Sequence, residues 1–169
     1  LLGSEIGAAL TALEPLDVDV MGLNCATGPT EMSEHLRYLS RNSRLPVSVM
    51  PNAGLPELGP NGAVYPLTPD ELATALSQFV TEFGAVLVGG CCGTTPEHIT
   101  RVVQAVGELA PTARPVVPDP AVASLYQSVP FRPSDQSIWS ARASALFSRR
   151  TTCGTEFAGY RLWSGYVAA

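Results

Sequence analysis

Three cysteines follow the ends of two largely apolar segments in this chain of 169 residues. Cys25 lies just beyond residues 18–23, and the adjacent pair Cys91 and Cys92 lies just beyond residues 85–88. Thiolates are preferred zinc ligands, and three of them leave the fourth tetrahedral position open, as in catalytic zinc sites. Zinc with three thiolates carries a net charge of about −1, so it is poorly suited to making hydroxide. We expect it instead to bind a fourth thiol, lower the pKa of that thiol and keep its sulfur nucleophilic for alkyl transfer.

Glycines flank the cysteine pair, at positions 89, 90 and 93. Consecutive side chains of an extended strand point to opposite faces, whereas glycine neighbours allow backbone angles that bring both thiols to one point. The alternative interpretation is a set of buried free cysteines, which behave as small apolar side chains. A disulfide between the two adjacent cysteines is disfavoured because the ring that it closes is strained.

Other polar residues near these segments have two interpretations each. Asn24 and Asn52 follow apolar segments and could donate hydrogen bonds that orient the thiolates or a bound substrate, but asparagine also forms turns. His35 and His98 could be metal ligands, although their positions on predicted helices favour exposure at the helix surface. Cys153 has no evident partner in the sequence, and we predict that it takes no part in the site.

Hydrophobic periodicity places these residues on a repeating pattern of helices and short strands. The apolar strands are typical of a parallel sheet covered by helices on both faces. Right-handed crossovers then bring the C-terminal ends of all strands to one rim, where active sites lie in TIM-type barrels. Three strands cannot close an eight-stranded barrel, so the predicted fold is α/β, a partial (βα)8 barrel. The predicted helices are 4–13, 30–43, 68–83 and 95–109, and the predicted strands are 18–23, 46–50 and 85–88.

Composition changes along the chain divide it into three regions. Residues 1–110 form the barrel part, residues 111–133 form a proline-rich linker, and residues 134–169 have no clear periodicity. We assign this tail no fold; disorder and translation out of frame would each explain its composition. The net charge of −5 without a basic stripe argues against a nucleic-acid partner. No apolar run reaches the roughly 20 residues of a membrane span, and four cysteines without a disulfide pattern favour a reducing, cytoplasmic setting.

Three motifs resemble the homocysteine S-methyltransferase family across residues 1–110. They are Gly-Leu-Asn-Cys at 22–25, Pro-Asn-Ala-Gly-Leu-Pro at 51–56, and Val-Gly-Gly-Cys-Cys-Gly-Thr-Thr-Pro-Glu-His-Ile at 88–99. The resemblance implies a (βα)8 barrel in which Cys25 ends strand six and the pair Cys91 and Cys92 ends strand eight. These positions match the family's zinc ligands, and the sulfur of homocysteine would be the fourth ligand. The reaction implied is methyl transfer to homocysteine, which gives methionine.

The form Asn-Cys-Ala-Thr-Gly-Pro at 24–29 and the long linker resemble the cobalamin-dependent branch of this family. That branch implies methylcobalamin as the methyl donor, bound outside this region, with folate and cobalamin modules of the parent enzyme as partners. The cobalamin-independent and betaine-using branches share the zinc motif and remain alternatives.

The sequence also departs from the family pattern. The family's first five strands, with the acidic residues that hold the homocysteine amino group, are absent, and no folate-module motif follows residue 131. We therefore expect a fragment that is inactive alone. A non-catalytic remnant that at most binds zinc is the alternative from another functional class. A redox function of the cysteine pair is disfavoured, because the family's chemistry accounts better for the glycines and the spacing.

Overall fold

A computed structural model describes residues 3–60, 62–117 and 120–130, together with the backbone of two short strands nearer the C-terminus. The chain divides into two compact units. One consists of Leu1–Val18 with Asp119–Ala169, and the other, which we call the central unit, is Asp19–Pro118. All three candidate metal-binding cysteines lie in the central unit, and we call them the cysteine cluster (Cys25, Cys91 and Cys92).

The helices and strands alternate along the first part of the chain, as the periodicity predicts. In chain order they are α1 (Ile6–Leu13), followed by a 3-10 turn at Glu14–Leu16, β1 (Met21–Asn24), α2 (Pro29–Asn42), β2 (Val47–Met50), β3 (Glu57–Gly59), β4 (Gly62–Val64), α3 (Pro69–Phe83), β5 (Leu87–Val88), α4 (Pro96–Val106), β6 (Ala121–Ala123), β7 (Ser128–Pro130), β8 (Thr155–Phe157) and β9 (Tyr160–Leu162).

A three-stranded parallel sheet in the order β1-β2-β5 forms the middle of the central unit. Its central strand is the most protected, and Val47 and Val49 are fully buried. Because the strands are parallel and joined through helices, their C-terminal ends share one edge. The α/β prediction is confirmed. Among the described residues this sheet is open, and no closed barrel is formed.

Helices α2 and α3 bury their apolar faces in the core of this unit, where Leu36, Leu39, Leu72 and Leu76 are fully buried. The predicted start of α3 is confirmed, since the Thr68 side chain and the side chain of the third helical residue cap each other's backbone N–H groups. The helix ends at a left-handed glycine, as helices commonly do.

The sequence predicted neither a helix nor a strand between β2 and α3. This segment contains the antiparallel hairpin of β3 and β4, with Glu57 opposite Val64. The pattern missed this hairpin because its strands have three residues each and Leu58 is 98% exposed, so no buried face marks them. Tyr65 follows the hairpin directly.

In the other unit, α1 packs against the antiparallel hairpin of β6 and β7. The Ser4 hydroxyl donates to the Leu125 carbonyl at 2.6 Å, and the Glu5 backbone N–H donates to the Tyr126 carbonyl at 3.1 Å. The segment 111–133, predicted as a linker, therefore contains regular structure at 121–130. The prediction for residues 134–169 lies outside the described residues, apart from the backbone of the β8–β9 hairpin. Among the described residues no helix is long and apolar enough to cross a membrane.

Candidate metal centre

The structure brings the three predicted cysteine ligands together at the C-terminal edge of the parallel sheet. The Cys25 and Cys92 Sγ atoms are 3.6 Å apart, those of Cys91 and Cys92 are 3.9 Å apart, and all three lie within 4.8 Å of one another. Three sulfurs bound tetrahedrally to one zinc at about 2.3 Å are roughly 3.8 Å apart. The cluster therefore fits a single zinc ion with at most a small adjustment.

The backbone that continues beyond β2 holds both halves of the cluster. The Cys25 N–H donates to the Met50 carbonyl at 2.9 Å, and the Cys91 N–H donates to the Pro51 carbonyl at 2.8 Å. The Ala53 N–H in turn donates to the Cys92 carbonyl at 2.9 Å. Residues 50–53 thus fix the positions of the cysteines on either side, which explains how residues 67 positions apart in sequence meet.

A sharp turn at the end of β1 directs Cys25 toward the other two cysteines. Cys25 and Ala26 have φ values of 64° and 65°, and the Thr27 N–H donates to the Cys25 carbonyl at 2.8 Å. Non-glycine residues are uncommon in this left-handed region, and each costs on the order of 1–3 kcal/mol. Consecutive strained residues are often found at functional sites, where surrounding contacts maintain them.

The glycines around the cysteine pair have different roles. Gly93 has a φ of 78°, and a Cβ atom there would overlap the ring of Tyr65. A Cβ atom at Gly90 would overlap the side chain of Thr94, which itself donates to the Cys91 carbonyl at 2.6 Å. A Cβ atom at Gly89 would make only ordinary contacts. The predicted need for glycine therefore has a structural reason at positions 90 and 93.

The two asparagines occupy different environments. Asn52 is 3% exposed, and its Oδ1 accepts a hydrogen bond from the Cys92 backbone N–H at 3.1 Å. Its side chain also hydrogen-bonds to the Cys25 thiol. Asn24 is exposed at the end of β1, and among the described residues its side chain makes no hydrogen bond to the cysteine cluster.

Hydrogen bonds shift the pKa values of two of the three thiols in opposite directions. The backbone N–H of Ala26, followed by the side chains of Cys91 and Cys92, lowers the pKa of Cys25. The hydrogen bonds of Cys92 to Cys25 and then to Cys91 raise the pKa of Cys92. The contacts between the thiols contribute to both shifts, because a neighbouring S–H group stabilises the Cys25 thiolate. Cys25 is therefore the thiol that ionises before Cys92.

Tyr65 is a neighbour of the cluster that the sequence did not reveal. Desolvation raises the pKa of Tyr65, and so does a hydrogen bond between its side chain and Cys92. Its ring lies against Gly93. No sequence motif indicates that this tyrosine lies near the cluster. It directly follows the β3–β4 hairpin, which the hydrophobic periodicity did not predict.

The histidines lie outside the cluster. His35 is exposed on α2, as predicted, but the prediction of surface exposure is wrong for His98, which is 7% exposed. His98 Nε2 lies 2.9 Å from the Leu67 carbonyl, and Nδ1 lies 2.8 Å from the Thr95 hydroxyl. A carbonyl only accepts, so Nε2 carries the proton and Nδ1 accepts from Thr95. Both ring nitrogens are satisfied, which is why this residue can be buried. Cys153 lies outside the described residues.

Comparison with known proteins identifies the family of the chain. The model of the family "Homocysteine S-methyltransferase" matches residues 1–106. The chain is 68% identical over 131 residues to a methionine synthase of Mycobacterium tuberculosis (strain ATCC 25618 / H37Rv). It is 65% identical over 136 residues to a methionine synthase of Mycobacterium leprae (strain TN). Each alignment covers 78% of this chain but only 11% of the relative, so the chain spans a small part of these proteins. With its family motifs set around one cluster of three thiols, the chain belongs to the homocysteine S-methyltransferase family.

Proposed function

We propose that this chain forms the zinc-binding part of the homocysteine site of a methionine synthase. The observation that carries the proposal is the convergence of three thiols, from the ends of two strands, within 4.8 Å. Membership of the family and two relatives named methionine synthase support homocysteine as the substrate and methionine as the product. The sheet order β1-β2-β5 is the order of three consecutive strands in a parallel barrel. We therefore propose that these are strands six to eight of a (βα)8 barrel.

Zinc bound by three thiolates would bind a further thiol and keep it deprotonated and nucleophilic near neutral pH. Cys25, Cys91 and Cys92 are the residues that would hold the ion. Asn52 orients Cys92 through its backbone N–H and Cys25 through its thiol. Asn24 is proposed to contact the substrate, because it is exposed at the end of β1, directly before Cys25.

In the proposed reaction the homocysteine thiol gives up its proton, and an electron pair of its sulfur forms the new S–CH3 bond. The bond between the methyl group and its donor breaks, and its electrons remain on the donor. The donor proposed for the parent enzyme is methylcobalamin, carried with folate on modules outside this chain. The lowered pKa of Cys25 favours the loss of one of the three thiol protons that metal binding must displace.

For this chain by itself we propose zinc binding without turnover, in a reducing cytoplasmic setting that keeps three neighbouring thiols free. One observation favours this more limited function. The chain spans only 11% of each methionine synthase that it matches, whereas the three thiols that could hold a metal all lie among its described residues.

Zinc content and methylation together test the proposal. Zinc is measured in the purified full chain by atomic emission, and methionine formation is followed with homocysteine and methylcobalamin. We expect equimolar zinc in the unmodified chain and in Cys153→Ser, which removes the fourth cysteine, and loss of zinc in Cys25→Ser. A folded chain without zinc would refute the site, whereas turnover by the chain alone would refute the proposal that it only binds zinc.

A further inference from the structure

Tyr65 packs against the turn that carries two of the three thiols. An added Cβ atom at Gly93 would overlap Cβ, Cγ and Cδ2 of Tyr65, so the tyrosine occupies the space that glycine leaves free. Gly93 also has a left-handed φ of 78°, which fixes the direction in which the chain leaves Cys92. The tyrosine ring and the backbone turn are therefore complementary, and neither can shift without the other.

The backbone around Tyr65 is held on two sides. The Leu67 N–H donates to the Ala53 carbonyl at 3.0 Å, and Ala53 donates to the Cys92 carbonyl at 2.9 Å. On the other side the Leu67 carbonyl accepts a hydrogen bond from the buried His98 ring at 2.9 Å. Tyr65 is thus attached, through two residues of chain, to the first turn of α4 and to the backbone that supports the cluster.

Cys92 needs such support more than the other ligands do. It is the exposed member of the cluster, whereas Cys25 and Cys91 are half-buried. An exposed side chain loses more rotamer freedom when it is fixed, so neighbours that restrict it improve metal affinity. Tyr65 is half-buried beside Cys92 and can supply both a flat apolar contact and a hydroxyl group.

We infer that Tyr65 is a positioning residue of the thiol site: its ring holds the turn at Gly93, and its hydroxyl is the hydrogen-bond partner that fixes the Cys92 sulfur. This inference rests on the proposed zinc site. The tyrosine acts through Cys92 and need not touch the metal or the substrate. Its hydroxyl donates to the thiolate, which stabilises the negative charge of that ligand.

The test compares Tyr65→Phe, which removes only the hydroxyl, with the matched control Tyr126→Phe in the other unit, where the tyrosine is 48% exposed. Zinc affinity of the full chain is measured by competition with a chromophoric chelator. The sulfur-to-metal charge-transfer band of the Co²⁺-loaded chain reports the ligand environment directly. Loss of an outer partner of a metal ligand typically weakens metal binding by about 10- to 100-fold. We expect Tyr65→Phe to lower the zinc affinity about tenfold and to shift the Co²⁺ band, while the thermal midpoint of the zinc-free chain stays unchanged. Tyr126→Phe should change none of these three quantities.

The outcomes distinguish the inference from the proposed function. If the unmodified chain binds zinc and Tyr65→Phe matches it in affinity and Co²⁺ spectrum, the positioning role is refuted and the zinc site stands. If Tyr65→Phe loses affinity only together with its thermal midpoint, the tyrosine is structural and the inference also fails. If the unmodified chain binds no zinc, the proposed function fails, and the inference fails with it. Tyr65→Leu, which removes ring and hydroxyl, should weaken zinc binding further than Tyr65→Phe.

Discussion

Replacing Asn52 by alanine tests how the cluster is held together. The Asn52 side chain is almost fully buried between the two strand ends that supply the cysteines. Its Oδ1 accepts from the Cys92 backbone N–H at 3.1 Å, and its side chain bonds to the Cys25 thiol. Alanine removes both contacts at once, while the backbone bonds of residues 50–53 remain. The substitution therefore loosens the thiols without removing a ligand.

The expected loss of stability has two parts. An unsatisfied donor costs about 1–3 kcal/mol, and the lower value applies to the Cys92 N–H because water can reach this exposed residue. Loss of buried packing at a site that is 3% exposed adds about 1 kcal/mol. The sum is about 2 kcal/mol, or roughly 8 °C in thermal midpoint for a unit of this size. Loss of a partner to the ligands weakens zinc binding by a further factor of about 10–100.

Differential scanning calorimetry of the zinc-free chain and chelator competition measure the two effects separately. The matched control is Asn42→Ala, which removes a local hydrogen bond from the Asn42 side chain to the Tyr38 carbonyl, 2.8 Å long, at the end of α2. This control should retain wild-type zinc affinity, with a smaller change in thermal midpoint. Wild-type zinc affinity in Asn52→Ala would refute the role assigned to this asparagine.

Two further predictions follow from the thiols and the buried histidine. In the zinc-free chain iodoacetamide should alkylate Cys25 before Cys92. The lowered pKa of Cys25 lets its thiolate form at lower pH, whereas the raised pKa of Cys92 means that its thiolate forms only at higher pH. Peptide mass spectrometry across pH 6–9 measures the order, and earlier reaction of the more exposed Cys92 would contradict the prediction. His98→Ala should lower the thermal midpoint by roughly 8 °C, since it removes a hydrogen bond to Leu67 and a cap of α4 worth about 1 kcal/mol each. His35→Ala, on an exposed helix surface, should leave the midpoint unchanged. Equal midpoints for the two variants would contradict the structural role of the buried His98.

The elements that the sequence predicted well are those whose own residues specify them. The start of α3 needs only Thr68, a proline and an acidic residue within one turn, all of which act locally. In the strand β2 fully buried valines alternate with half-buried residues, so its largely apolar run indicates it directly. The cysteines could be placed on one rim because parallel strands end on the same side. The sequence therefore predicted which residues would meet.

The parts that the sequence did not predict depend on contacts between distant residues. Burial of His98 requires the carbonyl of Leu67, which lies 31 positions earlier, and nothing in the helical pattern signals that partner. The residue does occupy the third position after the capping Thr95, where an acceptor side chain completes a capping box. The capping role of His98 could therefore have been predicted from the sequence, but its burial could not, since Glu71 in the same position of α3 is exposed. Tyr65 offered no comparable signal, because its significance arises only from the space left by Gly93.

The backbone at Cys25 and Ala26 is strained, and the free energy of zinc binding would be larger than the cost of this strain. Two adjacent left-handed residues, Cys25 and Ala26, together cost about 2–6 kcal/mol. The backbone hydrogen bonds at Cys25 and Thr27 offset only about 1–3 kcal/mol of this. Structural zinc sites contribute about 10–16 kcal/mol at pH 7, several times the remaining strain. Such strain persists where the surrounding structure maintains it, as the hydrogen bonds of Cys25 and Thr27 do here. Because the free energy of zinc binding exceeds the strain, we expect Tyr65, which acts on one sulfur, to affect zinc affinity more than the stability of the zinc-free fold.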